Sequence, residues 1–234
     1  MNGTTTAQLA EKTAKAVTGS VEEWTGFLQS AARLYKYSYP EQLLIYAQRP
    51  DATACASYEI WNQTMRRYVR RGARGIALLD GAGAVRYVFD VADTGARKSS
   101  REVRTWALDE NNREAVAHAL ETQYGSAAKL GIAGQLEEIA MQQSMDYWQW
   151  HQDELRGIVD GSFLEGYDEL NLEIAFRNTA AASVKYMLLS RCNLAREHQI
   201  EPEELAGVLE WNTSAASGAG QRDQRDERRG TQTD

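Results

Sequence analysis

The chain has 234 residues, 43% of them hydrophobic and 25% charged, with a formal net charge of −7. That length holds one sizeable core or two small ones, and the composition is that of an ordinary globular protein. No run approaches the length of a membrane span and no apolar block of signal-peptide type opens the chain, so the expectation is a cytoplasmic protein with no membrane partner. Cys55 and Cys192 lie far apart without metal-like spacing. Free thiols in a reducing cytoplasm are the simplest account, with a single disulfide as the alternative.

The net charge has to be located before it means anything. Residues 1–104 carry 15 Lys/Arg and 10 Asp/Glu, a net of +5, whereas residues 105–234 carry 11 and 23, a net of −12. Attraction of a polyanion depends on local potential and not on the total. The front half can therefore draw in phosphate while the back half repels it.

In chain order, residues 1–19 are small and polar and read as a flexible lead-in, frayed or loosely helical. Ser20 followed by Glu23 is a capping-box pattern, and Val21, Trp24, Leu28, Ala31 and Tyr35 then recur at helical spacing. Pro40 suits the first turn of a second helix over about 41–48, which Pro50 closes. Residues 53–56 read as a short edge strand, and Ser57 as the cap of a brief helix through Trp61 and Asn62. A basic strand over 67–70 puts Arg67 and Val69 on one face and Tyr68 and Arg70 on the other. Residues 75–79 and 84–91 form a hairpin in which Val85, Tyr87, Phe89 and Val91 point one way and Arg86 and Asp90 the other.

From Trp106 onward the pattern is helical. One helix is capped by Asp109 and ends near Gly125, and a second runs over about 134–150. Shorter ones cover 170–176 and 180–191, and Pro202 opens a last helix to Trp211. Residues 213–234 are Ser/Gly-rich and then of mixed charge, too polar to repay their ordering entropy, and read as a disordered tail or linker. The fold class is α+β: a small antiparallel sheet with packed helices, followed by a mostly helical C-terminal half. The divisions are 1–19, an α+β region over 20–105, a helical region packed on it over 106–212, and 213–234.

Function is most legible between Tyr35 and Asp80. Arg66, Arg67, Arg70, Arg71 and Arg74 fall within nine positions, and residues 60–79 contain no acid. They stand among Tyr58, Trp61 and Tyr68, with Tyr35, Tyr37 and Tyr39 upstream. Clustered guanidinium groups neutralise phosphates, and flat rings stack unpaired bases. The candidate nucleic-acid ligands are thus these five arginines, with Arg86 from the following hairpin. Tyr68, Trp61 and Tyr39 are the candidate stacking platforms. Gly72 and Gly75 bracket a turn whose amides either approach a phosphate or merely let the chain reverse. The bland alternative is a solvated basic face above ordinary core aromatics.

Several segments resemble the N-terminal, single-stranded-DNA-binding domain of ArdC-type antirestriction proteins, which plasmids and conjugative elements carry. They are YPEQLLIYAQ (39–48), RPDAT (49–53), the Trp61 position and VRRGARGIALL (69–79). YVFDVADT (87–94) and SVKYMLLSRC (183–192) are similar to segments of long multidomain versions found in mobile elements of Gram-positive bacteria. Gln42 stands where many members carry asparagine, and Thr64–Met65 replaces a glycine-rich approach to the basic strand. The resemblance implies sequence-tolerant binding of single-stranded DNA in the service of a mobile element during conjugation. The residues themselves leave the choice between DNA and RNA open.

His118, His151 and His198 are scattered and form no HExxH, so nothing matches the metallopeptidase-like domain that ArdC-type proteins often carry. No P-loop, dinucleotide fingerprint or GxSxG occurs, and no cysteine neighbours a histidine. The expectation is a non-enzymatic chain without metal or cofactor. Two rival readings stand beside it. One is an anti-defence protein that binds a host restriction or CRISPR nuclease directly, its acidic half imitating nucleic acid. The other is a non-catalytic N-terminal module of a larger methylase or helicase protein.

Overall fold

The structure, a computed structural model, describes residues 2–195 and 200–212, so the expected tail over 213–234 lies outside it. The first finding is a correction. The expected flexible lead-in contains a helix, α1 (Gly3–Val17), capped by Asn2, whose side chain accepts the Thr5 N–H at 2.9 Å. Its hidden face is built from residues of low hydrophobicity. Thr6 and Thr13 are buried with their hydroxyls bonded to the Asn2 and Leu9 carbonyls at 2.8 and 2.7 Å. Leu9, Ala10 and Val17 do the apolar packing. A hydroxyl that bonds back along its own helix can be buried without being orphaned, which is why a threonine-rich stretch reads as surface and packs as interior.

Helix α2 (Val21–Arg33) starts where Ser20 accepts the Glu23 N–H at 3.2 Å, and α3 (Tyr39–Gln48) starts at a Ser38–Glu41 capping box with Pro40 in its first turn. Strands β1 (Cys55–Ser57), β3 (Ile76–Leu79) and β4 (Val85–Asp90) form an antiparallel sheet in the order β1-β4-β3. Strand β2 (Tyr68–Val69) pairs separately with β5 (Thr94–Gly95). Register sets Ile76 opposite Val88, Leu78 opposite Arg86 and Cys55 opposite Asp90. Leu44 and Ile45 of α3 and Leu9 of α1 cover the face bearing Ile76, Leu78 and Val88. Burying each such side chain stabilises by about 1.5–3 kcal/mol. Ala77, Tyr87 and Phe89 belong to the other face.

Two side chains complete the sheet. Gln48 lies along β3 and matches the Ala77 backbone twice, its amide nitrogen donating to the carbonyl and its amide oxygen accepting the N–H, both at 2.9 Å. The buried Asp90 carboxylate accepts the N–H groups of Thr53 (2.7 Å), Ala54 (3.0 Å) and Ala92 (2.9 Å), fixing the entry to β1 and the exit from β4.

The helical half contains α4 (Arg113–Tyr124), α5 (Gly131–Gly157), α6 (Glu169–Arg191) and α7 (Pro202–Leu205). The two helices expected over 170–176 and 180–191 are one. The polar run Arg177, Asn178, Thr179 holds no glycine or proline to break it, and Arg177 pairs with Glu173 one turn back at 2.7 Å. Helix α6 lies on α5 and also on α2, where the Trp24 indole donates to Ser183 at 3.0 Å and Gln29 donates to the Tyr186 hydroxyl at 2.6 Å. Phe27, Leu28, Ala182 and Tyr186 share one core cluster, so the acidic half is joined to the basic half by a packed interior. The architecture is α+β. Both cysteines are free, and among the described residues no helix is long and apolar enough to cross a membrane.

Replacing Asp90 by alanine strands several buried donors at once. The expected loss is about 3 kcal/mol of stability, read as a lower urea midpoint at unchanged slope.

Candidate nucleic-acid interface

The basic strand is held to the sheet by the segment that leaves β4. The Arg70 N–H donates to the Asp93 carbonyl at 2.9 Å and its guanidinium to the Ala92 carbonyl at 3.2 Å. Arg67 Nε donates to Thr94 Oγ1 at 2.8 Å. From the other side Arg49, which follows α3, pairs with the Asp93 carboxylate at 2.6 Å. Two arginines of the cluster thus each spend part of their donor set on structure. Each guanidinium has five N–H groups, so most of both remain for a ligand.

The approach to this strand is a turn of π-helix, Ile60–Thr64, ending with the Met65 N–H on the Ile60 carbonyl at 2.9 Å. The chain then reverses through Arg66 in the left-handed region at φ 54°, a conformation costing a non-glycine residue about 1–2 kcal/mol. A second loop braces it: Ser100 Oγ donates to the Arg66 carbonyl at 2.7 Å, and the Arg101 N–H donates to the Met65 carbonyl at 2.9 Å. Arg97 lies over the Tyr68 ring at 5.3 Å from its centroid. The ring in turn lies on Gly95, where a Cβ would come within 2.3 Å of it, so any larger residue there would push the ring away. The loop over 96–101 therefore adds exposed Arg97, Lys98 and Arg101 to Arg66, Arg67, Tyr68, Arg70 and Arg71. Among the described residues, no carboxylate lies within ion-pair distance of Arg66, Arg67, Arg70, Arg71, Arg74, Arg97, Lys98 or Arg101.

Beyond the strand, the Ala73 N–H closes a turn onto the Arg70 carbonyl at 3.1 Å with Gly72 at φ 86°. Gly75 lies against the rings of Tyr87 and Phe89, where a Cβ would come within 3.0 and 3.2 Å. The glycines thus serve the reversal and a close approach to the sheet, and no phosphate need be invoked for either. That approach sets exposed Arg74 beside the uncovered face of the sheet, where Tyr87 is 46% exposed and Tyr58, 54% exposed, meets Phe89 edge-on at 6.5 Å. Accessible rings on a sheet face can stack single-stranded bases, and nearby cations can neutralise their phosphates.

Three of the sequence-derived candidates do not belong to this surface. Trp61 is 2% exposed and its indole N–H is committed to the Phe89 carbonyl at 2.8 Å, so it supports the platform from beneath and cannot stack a base. Arg86 is on the helix-covered face of β4 and is ion-paired with Glu41 of α3. Tyr39 opens α3 beside Glu41 and sets the Phe27 ring edge-on at 5.8 Å. The other end of α3, ten residues on, is the end that reaches Asp93 and the basic strand. A helix of that length separates Tyr39 from the arginines by about 15 Å. Conversely, Tyr87 and Phe89 were not among the candidates. Alternation showed that they share a face but not that the helices take the other one, which carries the charged Arg86 and Asp90.

Burial, with the Asp90 carboxylate adding to it, pushes the Cys55 thiol up to about 12, so it stays protonated at neutral pH. Among the described residues no group of three or more His, Cys, Asp or Glu is placed to hold a metal ion.

The Arg86–Glu41 pair has its own signature. Burial works to raise the Glu41 carboxyl, but the Ser38 backbone N–H, the Arg86 guanidinium and the Ser38 hydroxyl outweigh it and hold the pKa below the usual carboxylate range. A carboxylate with a depressed folded-state pKa stabilises the fold above its unfolded value of about 4.3 and loses that contribution as pH falls through the folded one. Arg86→Ala is expected to flatten the fall of stability in acid measured by urea unfolding from pH 5 downward, and to leave oligonucleotide affinity unchanged.

No known family model, no curated protein and no solved structure matches this chain.

Proposed function

We propose that the chain is a sequence-tolerant, single-stranded-DNA-binding module of antirestriction type, serving a mobile genetic element. The observation that carries this reading is the set of cations without carboxylate partners, among the described residues, on the basic strand and its bracing loop, with Arg97 over the exposed Tyr68 ring and further exposed rings, Tyr58 and Tyr87, in the same α+β half. A net negative chain that keeps such a set unneutralised, with abundant carboxylates elsewhere, presents a local positive field. Rings on an open sheet face reward unstacked bases and gain nothing from a closed duplex, which favours single strands.

The resemblance to ArdC-type domains supports the choice of DNA, because the resembling segments make up the framework of this surface. Residues 39–48 are α3, which carries the Gln48 edge contact. Residues 49–53 supply Arg49 for Asp93 and the Thr53 N–H for Asp90. Residues 69–79 run through the basic strand, the turn and β3.

If about four phosphates are neutralised, log affinity for a single-stranded oligonucleotide falls with log salt at a slope near −3. Fluorescence anisotropy across a salt series measures it, and a flat response, or equal affinity for duplex, overturns the reading. Exchanging Arg70 and Arg71 together for alanine is expected to weaken binding alike for unrelated sequences and to make the slope shallower by about 1. Tyr87→Ala is expected to cost about 1–3 kcal/mol of affinity with the slope unchanged.

A further inference from the structure

A second concentration of cations and rings lies away from that surface, where the acidic half meets the basic half. A cleft of about 480 Å³ opens between the residues that follow α2, the entry to β1, the segment leading to Trp106 and the end of α6. Its cations are Arg33, Lys36, Arg104 and Arg191, and no carboxylate lines it. Its accessible rings are Tyr35, 53% exposed, and Trp106, 42% exposed. The volume is within the ~300–1,000 Å³ range of small-ligand pockets.

The cleft is held open by its own contacts. Arg191 lies between the two rings, its guanidinium carbon 4.8 Å from the Tyr35 centroid and 4.9 Å from that of Trp106, and it donates to the Trp106 carbonyl at 2.8 Å. Arg33 is anchored by donating to the Ala52 and Pro50 carbonyls at 3.1 and 2.9 Å. Tyr37, its phenol pushed up to about 12 chiefly by burial, donates to the Cys55 carbonyl at 2.8 Å and closes the floor. Each fixed guanidinium keeps donors to spare. Lys36 is unconstrained by any carboxylate among the described residues, and Arg104 touches only the exposed Glu102 at the rim.

Four cations lining a cleft, of which Arg104 alone is ion-paired, with the exposed Glu102, call for an anion of more than one charge, and the exposed rings call for a flat, apolar-faced group on the same molecule. A base joined to a phosphate carries both. We infer that this cleft binds one nucleoside monophosphate unit, the base against Trp106 or Tyr35 and the phosphate among Lys36, Arg104 and the two anchored arginines. The unit can be a free mononucleotide or the 5′-phosphorylated end of a strand. This inference does not rest on the reading of the basic strand.

The test uses the full chain and deoxyadenosine monophosphate, followed by calorimetry and by tryptophan fluorescence. Saturable binding is expected, with adenosine alone and inorganic phosphate alone each at least tenfold weaker. Lys36→Ala with Arg104→Ala, both exposed side chains, is expected to weaken the nucleotide at least tenfold while circular dichroism is unchanged. Trp106→Phe is expected to abolish the quench and to keep the calorimetric signal. Arg70→Ala with Arg71→Ala leaves the nucleotide bound, so failure of oligonucleotide binding and failure of the cleft are told apart. Displacement by a 5′-phosphorylated hexanucleotide but not by its 5′-hydroxyl form assigns the strand end as the source. Displacement by neither assigns the free nucleotide. Absence of saturable binding at millimolar nucleotide, or binding indifferent to the Lys36 and Arg104 exchange, overturns the inference.

Discussion

Everything on the basic side of this molecule hangs from the short stretch between Asp90 and Gly95. The Asp90 carboxylate gathers backbone N–H groups from two chain segments, and Asp93 receives Arg49 through its side chain and Arg70 through its carbonyl. Thr94 takes Arg67 and gives its own hydroxyl proton to the Val91 carbonyl at 2.7 Å. Two carboxylates therefore hold in place a strand whose neighbours are nearly all cations. A two-residue pairing such as β2 with β5 is too short to persist alone, and these polar ties replace the ladder it lacks.

The same economy divides the arginines into two kinds. Arg49 and Arg86 are neutralised by Asp93 and Glu41 and belong to the framework. Arg66, Arg70, Arg71, Arg74, Arg97 and Arg101 face solvent without a carboxylate, among the described residues, while Arg67 is half-buried against Thr94. Composition cannot make that division, because it depends on which carboxylates the fold brings near. It accounts for a chain of net charge −7 that still presents a coherent positive surface.

Much of the fold was legible in the sequence, and the failures have physical causes. Ser20, Pro40 and Gly125 mark helix ends because caps and turns are local chemistry, and the hairpin over 75–91 declares itself by alternation around Asp80 and Gly83. Helix α1 escaped because its inner face relies on threonines whose hydroxyls are satisfied within the helix. The break expected in α6 arose from reading polarity as a turn. At the site, the cluster of Arg66 to Arg74 was plain. Whether the polar loop with Arg97, Lys98 and Arg101 extends the basic surface or is ordinary loop charge turns on its contacts to Arg66 and Met65, which connect residues 34 or more apart in sequence. The wrong side of β4 was favoured because Arg86 and Asp90 look like surface residues. Each is instead compensated under a helix or at a strand end, and neither compensation can be seen in the strand itself.

Gln48 carries a consequence for how copies of this chain behave together. By offering one amide to both hydrogen-bonding groups of Ala77, it imitates the next strand and ends the sheet there. A neighbouring molecule finds that rung already taken, which works against growth of a shared sheet by stacking copies along β3. Pairing between exposed strand edges grows with local concentration, so crowding is when an unsealed rim is most hazardous. One side-chain amide lets crowded neighbours stay separate.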